Sequence, residues 1–177
     1  SIVEAKIDVG SKITFSVFFQ GKPVLVDSEI SFEFKQAPPL GFDMEILKSS
    51  AKEINETWTP VLKRKASILN RCREFTMGMK EKKFPHRQIN LVFRVYDDGV
   101  AFRIEFIGPD NNHDYALTDE NVEFNFTADH DCWAANHGSY RSSQENEYFK
   151  RKLSRITDQM VIGLPITLKI ADNCYAA

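Results

Sequence analysis

The feature that most constrains the fold is a segment, residues 91–106 (LVFRVYDDGVAFRIEF), that reads as a complete β-hairpin. Two runs of alternating apolar and polar residues flank Asp98-Gly99, a pair typical of a two-residue type I′ turn. Such a loop gathers the apolar side chains on one face, and that face must be covered by a second layer. The predicted cross-strand pairs on it are Val95 with Phe102, Phe93 with Ile104, and Leu91 with Phe106.

The opposite face of the predicted hairpin carries two arginines. The same register sets Arg94 against Arg103, and like charges directly opposite each other destabilise a strand pair. We therefore expect acidic groups nearby. They could come from Glu105 on the same strand, from a carboxylate on a neighbouring strand, or from the surface of a partner.

The same alternation recurs along most of the chain. Residues 13–19 and 22–26 predict a second hairpin around Gln20-Gly21, and further strands are expected at residues 30–34, 122–126 and 164–170. Fourteen phenylalanines suit half-buried pleated surfaces better than helices. The fold class predicted for residues 1–177 is therefore all-β, an antiparallel β-sandwich of ten or more strands in a single domain. In the second hairpin we expect Val17 opposite Val24 and Phe15 opposite Val26.

Composition excludes several classes of function. A total of 23 basic and 25 acidic residues gives a formal net charge of -2, which leaves no nucleic-acid footprint. The longest basic clusters, residues 63–65 and 150–152, are interrupted by apolar neighbours and read as solvated faces. No segment approaches the roughly 20 apolar residues needed to span a bilayer.

Motifs for nucleophilic or nucleotide chemistry are missing from the sequence. It contains no nucleophile elbow, no phosphate-binding loop and no dinucleotide fingerprint. Its three cysteines, Cys72, Cys132 and Cys174, have no zinc spacing, although one pair could bridge in an oxidising compartment. Residues 129–131 (DHD) and 113–114 (HD) carry hard ligands, but neighbours in an extended chain point to opposite faces and rarely chelate one metal ion.

Residues 128–143 show neither a helical nor a strand period, which predicts a long structured loop around Trp133. A tryptophan close to Asn136, Tyr140 and Tyr148 suits a sugar, because an aromatic face packs on C–H groups while amides meet hydroxyls. These four residues are the candidate substrate-binding residues. The alternative interpretation is that Trp133 is a buried anchor of the loop.

Local rules predict a short helix over residues 144–156. Ser142 and Glu145 resemble a capping box, and three apolar residues follow at helical spacing. The same segment holds Glu145 and Glu147, which could form a carboxylate pair for glycosidic bond cleavage or could simply belong to a solvated face.

Taken in order, several of these phrases resemble the N-terminal domain of glycoside hydrolase family 97. They are residues 20–25 (QGKPVL), residues 56–58 (ETW), the hairpin 91–106, residues 132–134 (CWA) and the closing residues 164–168 (LPITL). The resemblance implies a galactose-mutarotase-like β-super-sandwich that precedes a catalytic TIM-type barrel and a small C-terminal β-domain. It also implies a calcium-dependent α-glucosidase or α-galactosidase that is periplasmic or secreted, with oligosaccharide as its substrate.

The resemblance further implies what this chain lacks. The family's catalytic carboxylates lie in the barrel, and a calcium-binding glutamate follows a phrase like Tyr-Ala-Ala-Ile, whereas this chain ends at Ala177. We therefore expect a sandwich truncated on its C-terminal side, inactive alone, with no catalytic residue and no metal ligand. Arg94 and Arg103, if their own sheet leaves them unpaired, become candidates for the interface with the barrel.

Two expectations stay open at this point. Family resemblance makes residues 144–156 extended or irregular, against the local prediction of a helix. The chain could also be a free-standing carbohydrate-binding module or a purely structural β-domain.

Overall fold

Most segments in which apolar and polar residues alternate form β-strands in the structure. The computed structural model describes residues 2–61, 67–108, 116–172 and 174–177, and the predictions made for residues 63–65 and 113–114 lie outside them. The chain forms two units, Ser1–Asn125 and Phe126–Ala177. Strands of the first unit are β1 (Val3–Val9), β2 (Ile13–Phe19), β3 (Lys22–Phe34), β4 (Ala37–Leu40), β5 (Met44–Trp58), β6 (Ile68–Glu81), β7 (Gln88–Val95), β8 (Val100–Ile107) and β9 (Leu117–Val122).

The described residues of the first unit form two antiparallel sheets. One has the order β1-β2-β3-β4, with β9 also paired to β3, and the other has the order β5-β6-β7-β8. Phe15 of β2 lies against Phe93 of β7 and Phe102 of β8, with ring centroids 5.9 and 5.3 Å apart, and Phe32 of β3 meets Phe106 at 5.4 Å. The apolar face of the central hairpin is thus covered by a second sheet, which confirms the predicted antiparallel sandwich. Burial of Phe15, Phe32 and Phe93, which are at most 4% exposed, stabilises the fold by about 1.5–3 kcal/mol for each ring.

The central hairpin forms, but its turn differs from the prediction. Strand β7 ends at Val95 and β8 begins at Val100, so the loop has four residues, and the Tyr96 amide donates to the Gly99 carbonyl over 2.8 Å. Gly99 does not have the positive φ that a type I′ turn requires. The observed pairs are Val95 with Val100, Phe93 with Phe102, Leu91 with Ile104, and Ile89 with Phe106. The register is therefore displaced by two residues, and the apolar face survives because side chains alternate with a period of two.

The second hairpin has the predicted turn and a different register. Gln20 and Gly21 both have positive φ, 50° and 74°, as a two-residue turn of this kind requires. Two register shifts in the β2–β3 ladder then place Val17 opposite Leu25 and Phe15 opposite Ser28. The expected pairs of Val17 with Val24 and Phe15 with Val26 are wrong, because β-bulges insert extra residues in β3.

A buried ion pair holds the connection between β6 and β7. Arg87 Nη2 and Nε lie 2.6 and 2.8 Å from the two Glu81 carboxylate oxygens, and the two side chains are 4 and 7% exposed. The guanidinium lies over the Phe34 ring at 4.5 Å and donates to the Pro38 carbonyl over 2.7 Å. These hydrogen bonds offset part of the desolvation of the buried charge pair, and Arg87 Nη1 is buried without a hydrogen-bond partner among the described residues.

In the second unit, residues 126–172 and 174–177 include one antiparallel sheet with the order β11-β10-β12-β13. A strand runs through the predicted loop at residues 128–143, so that prediction is wrong for its central part. The predicted last strand, residues 164–170, is confirmed. Bounds are β10 (Asp131–Asn136), β11 (Phe149–Lys152), β12 (Ile162–Ala171) and β13 (Cys174–Ala176), with one 3-10 turn (Leu153–Arg155).

The predicted helix at residues 144–156 is wrong, and the extended or irregular chain implied by the family resemblance is confirmed. The Ser142 and Ser143 hydroxyls accept the amides two residues ahead, from Gln144 and Glu145, and Gln144 has a φ of 59°. These local bonds compete with a helical turn. Farther along, β11 pairs with β10, so residues 149–152 form part of the sheet.

Other sequence expectations concern cysteines and membranes. All three cysteines are free thiols, with Cys72 and Cys132 buried. None of the described residues belongs to a helix long and apolar enough to cross a membrane.

Candidate functional site

Trp133 lies on β10, in the middle of a strand. Cys132 and Ala134 beside it are fully buried, so Trp133 and Asp131 point to the opposite face of the sheet, where both are partly exposed. Trp133 is therefore neither on a loop nor a fully buried anchor.

Pairing with the neighbouring strands places the residues around Trp133. Lys150 of β11 and Thr167 of β12 lie directly beside it, and Lys152 and Lys169 lie beside Asp131. Tyr175 of β13 follows, opposite Lys169. Paired residues share a face of the sheet, so these side chains form one surface. We call it the Trp133 face, made up of Asp131, Trp133, Lys150, Lys152, Thr167, Lys169 and Tyr175.

Two aromatic rings lie side by side on the Trp133 face. The centroids of Trp133 and Tyr175 are 6.0 Å apart and their planes are tilted by 51°. The Lys150 ammonium lies 5.7 Å from the centroid of the Trp133 ring, within the range of a cation–π contact. Tyr175 is 56% exposed. The face therefore offers an aromatic surface bordered by charged side chains.

The charges on this face are paired with one another. Asp131 lies 2.9 Å from Lys152 and 3.1 Å from Lys150, and these hydrogen bonds hold the pKa of its carboxyl below the ordinary value. Lys169 lies 2.8 Å from Asp172, which raises the pKa of the lysine and lowers that of the aspartate. These ion pairs place ammonium donors and carboxylate acceptors beside the rings.

The other candidate residues lie near the end of β10 and in the segment after it. The Asn136 amide oxygen accepts the amides of Gly138 and Val161 over 3.0 and 3.2 Å, so its side chain shapes the chain locally. Tyr140 and Tyr148 are 88 and 51% exposed. The ring contacts described for Trp133 are with Tyr175 and Lys150, and not with these two tyrosines.

Glu145 and Glu147 lie in the same irregular segment, and both are exposed. This placement agrees with the solvated-face interpretation. The general acid of a glycosidase commonly lies in an apolar, water-excluded pocket, and these two carboxylates are exposed.

Arg94 and Arg103 both have acidic partners within their own sheet. The register sets Arg94 opposite Ala101 and Arg103 opposite Val92, so the two arginines do not face each other as predicted. Arg94 Nε lies 2.7 Å from Glu74 on the neighbouring strand β6, and Arg103 lies 2.7 Å from Glu105 on its own strand. The expected acidic neighbours are therefore confirmed. The condition for an interface role, that the sheet leaves the arginines unpaired, is not met.

Glu74 joins two basic side chains on this sheet. It is 6% exposed and accepts from Lys52 at 2.9 Å as well as from Arg94. Hydrogen bonds from Lys52 and then from Arg94 lower the pKa of its carboxyl. The charged side chains of Lys52, Glu74 and Arg94, on β5, β6 and β7, therefore pair with one another within the sheet.

Sequence reasoning missed the residues that surround Trp133 on this face, which are Asp131, Lys150, Lys152, Thr167, Lys169 and Tyr175. The alternation of Asp131 and Trp133 with Cys132 and Ala134 was the available signal. Alanine is depleted in strands, so the run Ala134-Ala135 concealed the strand. Tyr175 could be placed beside Trp133 only once the β12–β13 pairing was known.

The described residues do not fit a metal centre. Among them, no group of three or more His, Cys, Asp or Glu side chains is close enough to hold an ion. Asp129, a candidate from the sequence, accepts the Ser154 amide and hydroxyl over 2.8 and 2.9 Å. The calcium implied by the family resemblance therefore finds no ligand set in the described part of this chain.

Comparison with known proteins shows which family this architecture belongs to. The family model described as "Glycosyl-hydrolase 97 N-terminal" matches residues 2–177. A retaining alpha-galactosidase of Bacteroides thetaiotaomicron is 24% identical over 180 residues, which cover 97% of this chain and 26% of that protein. This chain therefore spans about a quarter of the length of that relative.

Solved structures give the same fold. A glycoside hydrolase family 97 enzyme from a Pseudoalteromonas species, in complex with acarbose, superposes with a TM-score of 0.85 at 24% identity. The match covers 98% of this chain and 26% of that enzyme. A beta-arabinopyranosidase matches with a TM-score of 0.84 at 17% identity, over 98% of this chain and 29% of its own. Because the family model matches nearly every residue, this chain belongs to the family of N-terminal domains of glycoside hydrolase family 97.

Proposed function

We propose that this chain is the accessory β-sandwich of a calcium-dependent α-glycoside hydrolase that releases terminal α-linked glucose or galactose. The observation that carries the proposal is the family match over residues 2–177, combined with the share of about a quarter that the chain represents in its relatives. The domain would pack on a catalytic barrel of the same polypeptide. The enzyme would be periplasmic or secreted, as the family resemblance implies.

In this proposal the chain binds and orients substrate while the barrel supplies the two carboxylates of glycoside hydrolysis. Trp133 is the main candidate for sugar contact at the rim of the active site, because it lies on a partly exposed sheet face beside charged groups. Tyr140 and Tyr148 are exposed and could reach a substrate, whereas Asn136 would act by shaping the segment that carries Tyr140. No step is assigned to calcium on this chain, because the described residues do not fit it.

The test compares this chain with the full-length parent protein. Release of p-nitrophenol from its α-glucoside and α-galactoside would be measured with calcium present, for both proteins side by side. We expect turnover by the parent and none by this chain, with the preferred aryl glycoside naming the sugar. Turnover by this chain alone would contradict the accessory role and return attention to Glu145 and Glu147.

A purely structural domain is separated from this proposal by a second measurement on the parent. Trp133→Ala should raise KM for an oligosaccharide more than it lowers kcat, since the side chain is proposed to bind substrate. If the substitution changes only the melting temperature, Trp133 has no part in substrate binding.

A further inference from the structure

The long strand β5 leaves one of its edges free. Among the described strands, β5 pairs only with β6 and stands at the end of the order β5-β6-β7-β8. A free edge presents a row of unpaired backbone N–H and C=O groups, which another strand can bind. Proline and bulges commonly interrupt such edges, but residues 48–58 contain no proline and pair with β6 without a bulge. This segment, which we call the β5 edge, is therefore suited to strand pairing.

Side chains of the β5 edge are accessible on both faces of the sheet. Every residue from 48 to 58 is exposed except Ile54, which is partly exposed. Exposure by itself names no partner. The order of charges along the edge does so, because like charges directly opposite each other destabilise a strand pair and opposite charges stabilise it.

The order of charges along the β5 edge is self-complementary. When two copies of a sheet join edge to edge about a twofold axis perpendicular to the sheet, their strands run antiparallel, and residues equally far from the axis on its two sides lie opposite each other. With the axis at Ile54, Lys52 of each copy lies opposite Glu56 of the other. The two copies thus form two ion pairs on one face, and Ile54 meets Ile54 at the axis.

Other positions of the axis lose this match. The axis lies at a residue and not between two, because paired residues must share a face of the sheet. An axis at Ser50, Lys52, Glu53 or Glu56 sets two lysines or two glutamates directly opposite each other. An axis at Ala51 or Asn55 brings no opposite charges together. The charges therefore oppose or leave unsupported these other pairings and favour the one centred on Ile54.

Contacts within the sheet leave both charged groups able to form a second bond. Lys52 Nζ lies 2.9 Å from Glu74, and its side chain is 66% exposed. The Glu56 carboxylate accepts from the Asn70 amide over 2.6 Å and is exposed. An ammonium has three donors and a carboxylate accepts several hydrogen bonds, so each group can bind a neighbour on β6 and a group across the axis. The contacts with β6 also hold both side chains on the face where the ion pairs form.

We propose that this chain forms a homodimer through its β5 edge. Residues 50–58 of the two copies pair antiparallel, with Ile54 at the twofold axis, and join the two β5–β8 sheets into one continuous sheet. Backbone hydrogen bonds hold the strands together, and the pairs of Lys52 with Glu56 fix the register. The interface is small, so we expect a dissociation constant of about 10–100 µM. The dimer does not depend on the proposed glycosidase role, since none of the candidate substrate-binding residues takes part in it.

Sedimentation equilibrium of this chain at about 1–200 µM measures the association. We expect the mass to rise from that of one copy towards that of two across this range. Glu56→Lys sets lysines opposite each other on both sides of the axis and should weaken the dimer at least about tenfold. Glu4→Lys is the matched control, because it makes the same charge change at an exposed position of β1, the edge strand of the other sheet. It should leave the dissociation constant within about twofold.

Disulfide cross-linking tests the register. The Cα atoms of the two Ile54 residues should lie about 4.5–5.5 Å apart, within the range of a disulfide. Ile54→Cys should therefore give covalent dimers on oxidation, whereas Glu56→Cys should not, because the two copies of that position would be about 13 Å apart. Both variants would also have Cys72, Cys132 and Cys174 replaced by alanine, since Cys72 lies directly opposite Ile54 on β6. Circular dichroism would verify that each variant keeps its fold, and the sedimentation experiment does not need these replacements.

The mass of a single copy at every concentration overturns the proposal, and the β5 edge is then left to solvent or to another segment of a longer polypeptide. A dimer that Glu56→Lys does not weaken, or that Glu4→Lys weakens equally, also overturns it, because such a dimer forms elsewhere. Cross-linking through Glu56→Cys and not through Ile54→Cys overturns the register. Glycoside hydrolysis by the parent protein is measured separately, so failure of the proposed function leaves the dimer unaffected.

Discussion

The two units use the same alternation of side chains in opposite ways. In the first unit, Phe15 and Phe93 meet between two sheets and are 2 and 1% exposed. In the second unit, Trp133 and Tyr175 meet on the outer face of one sheet, and Tyr175 is 56% exposed. Contacts between aromatic rings therefore occur in two different environments in this chain. In the first unit such a contact lies in the core and stabilises the fold, and in the second it lies on a partly exposed sheet face.

One ion pair from each unit shows a similar contrast in burial. Arg87 and Glu81 of the first unit are almost fully buried, whereas Asp131 and Lys152 of the second are 31 and 53% exposed. Removing one member of a buried pair leaves an uncompensated charge, while an exposed charge is solvated by water. Four predictions test this comparison.

The largest effect is expected from core truncation in the first unit. Phe93→Ala should lower the free energy of unfolding by about 3–5 kcal/mol, because Phe93 contacts both Phe15 and Phe102. Tyr175→Ala, the matched aromatic of the second unit, should cost less than about 1 kcal/mol. Urea unfolding followed by circular dichroism measures both. Equal losses would mean that the ring pair of the second unit is also structural.

Breaking the buried ion pair should have the next largest effect. Glu81→Ala leaves the Arg87 guanidinium buried without its carboxylate, and we expect a loss of about 3 kcal/mol in unfolding free energy. Lys152→Ala, on the exposed pair, should cost no more than about 1 kcal/mol. Chemical denaturation of the two variants beside the parent chain gives the difference. A loss below 1 kcal/mol for Glu81→Ala would show that the pair is not buried in solution.

Adding a methyl group should lower the stability at Gly163 of the second unit and leave it nearly unchanged at Gly99 of the first. In the second unit a Cβ on Gly163 would overlap the His137 imidazole, so Gly163→Ala should destabilise by about 1–3 kcal/mol. Gly99→Ala in the first unit meets no atom within 4 Å and does not require positive φ, so it should be within about 0.5 kcal/mol of the parent. Thermal unfolding of both variants tests this. A large loss of stability for Gly99→Ala would mean that Gly99 has a positive φ in solution, as in the two-residue turn predicted from the sequence.

The smallest effect concerns the pH dependence of stability. Hydrogen bonds from Lys152 and Lys150 lower the pKa of Asp131 in the folded state, so its contribution is present above the unfolded pKa of about 3.9 and is lost as pH falls through the lower folded value. When the pH is lowered from 5 to 2, the free energy of unfolding of the Asp131→Asn variant should therefore fall by less than that of the parent chain. Urea midpoints across that range measure it. Identical slopes would show that the ion pairs do not persist in solution.

Local chemistry was sufficient to predict much of the first unit. Gln20-Gly21 adopts the predicted turn because both residues tolerate positive φ, and the apolar faces of β7 and β8 follow from strict alternation. Registers were less predictable. Extra residues at bulges, such as Asp27 with its φ of 45°, displace every pair beyond them, and alternation alone does not indicate where they occur.

Prediction failed where a local preference competed with a distant strand. Ser142 and Glu145 satisfy a helix-capping rule, yet residues 149–152 pair with β10 because the sheet offers them a ladder of hydrogen bonds. The candidate site changed for the same reason. Trp133 is a candidate because of its type and its polar surroundings, but Tyr175 and Lys150 reach it only through pairing of β10 with β11 and of β12 with β13.

The sequence by itself determined the all-β class, the antiparallel sandwich, the apolar face of the central hairpin and the family resemblance, because each depends on residue types at short spacing. The tertiary structure alone decided the registers, the strand through residues 131–136, the internal pairing of Arg94 and Arg103, and the surface around Trp133. Those features depend on which distant strands become neighbours. That choice reflects the free energy of the whole sheet and not the preference of any one segment.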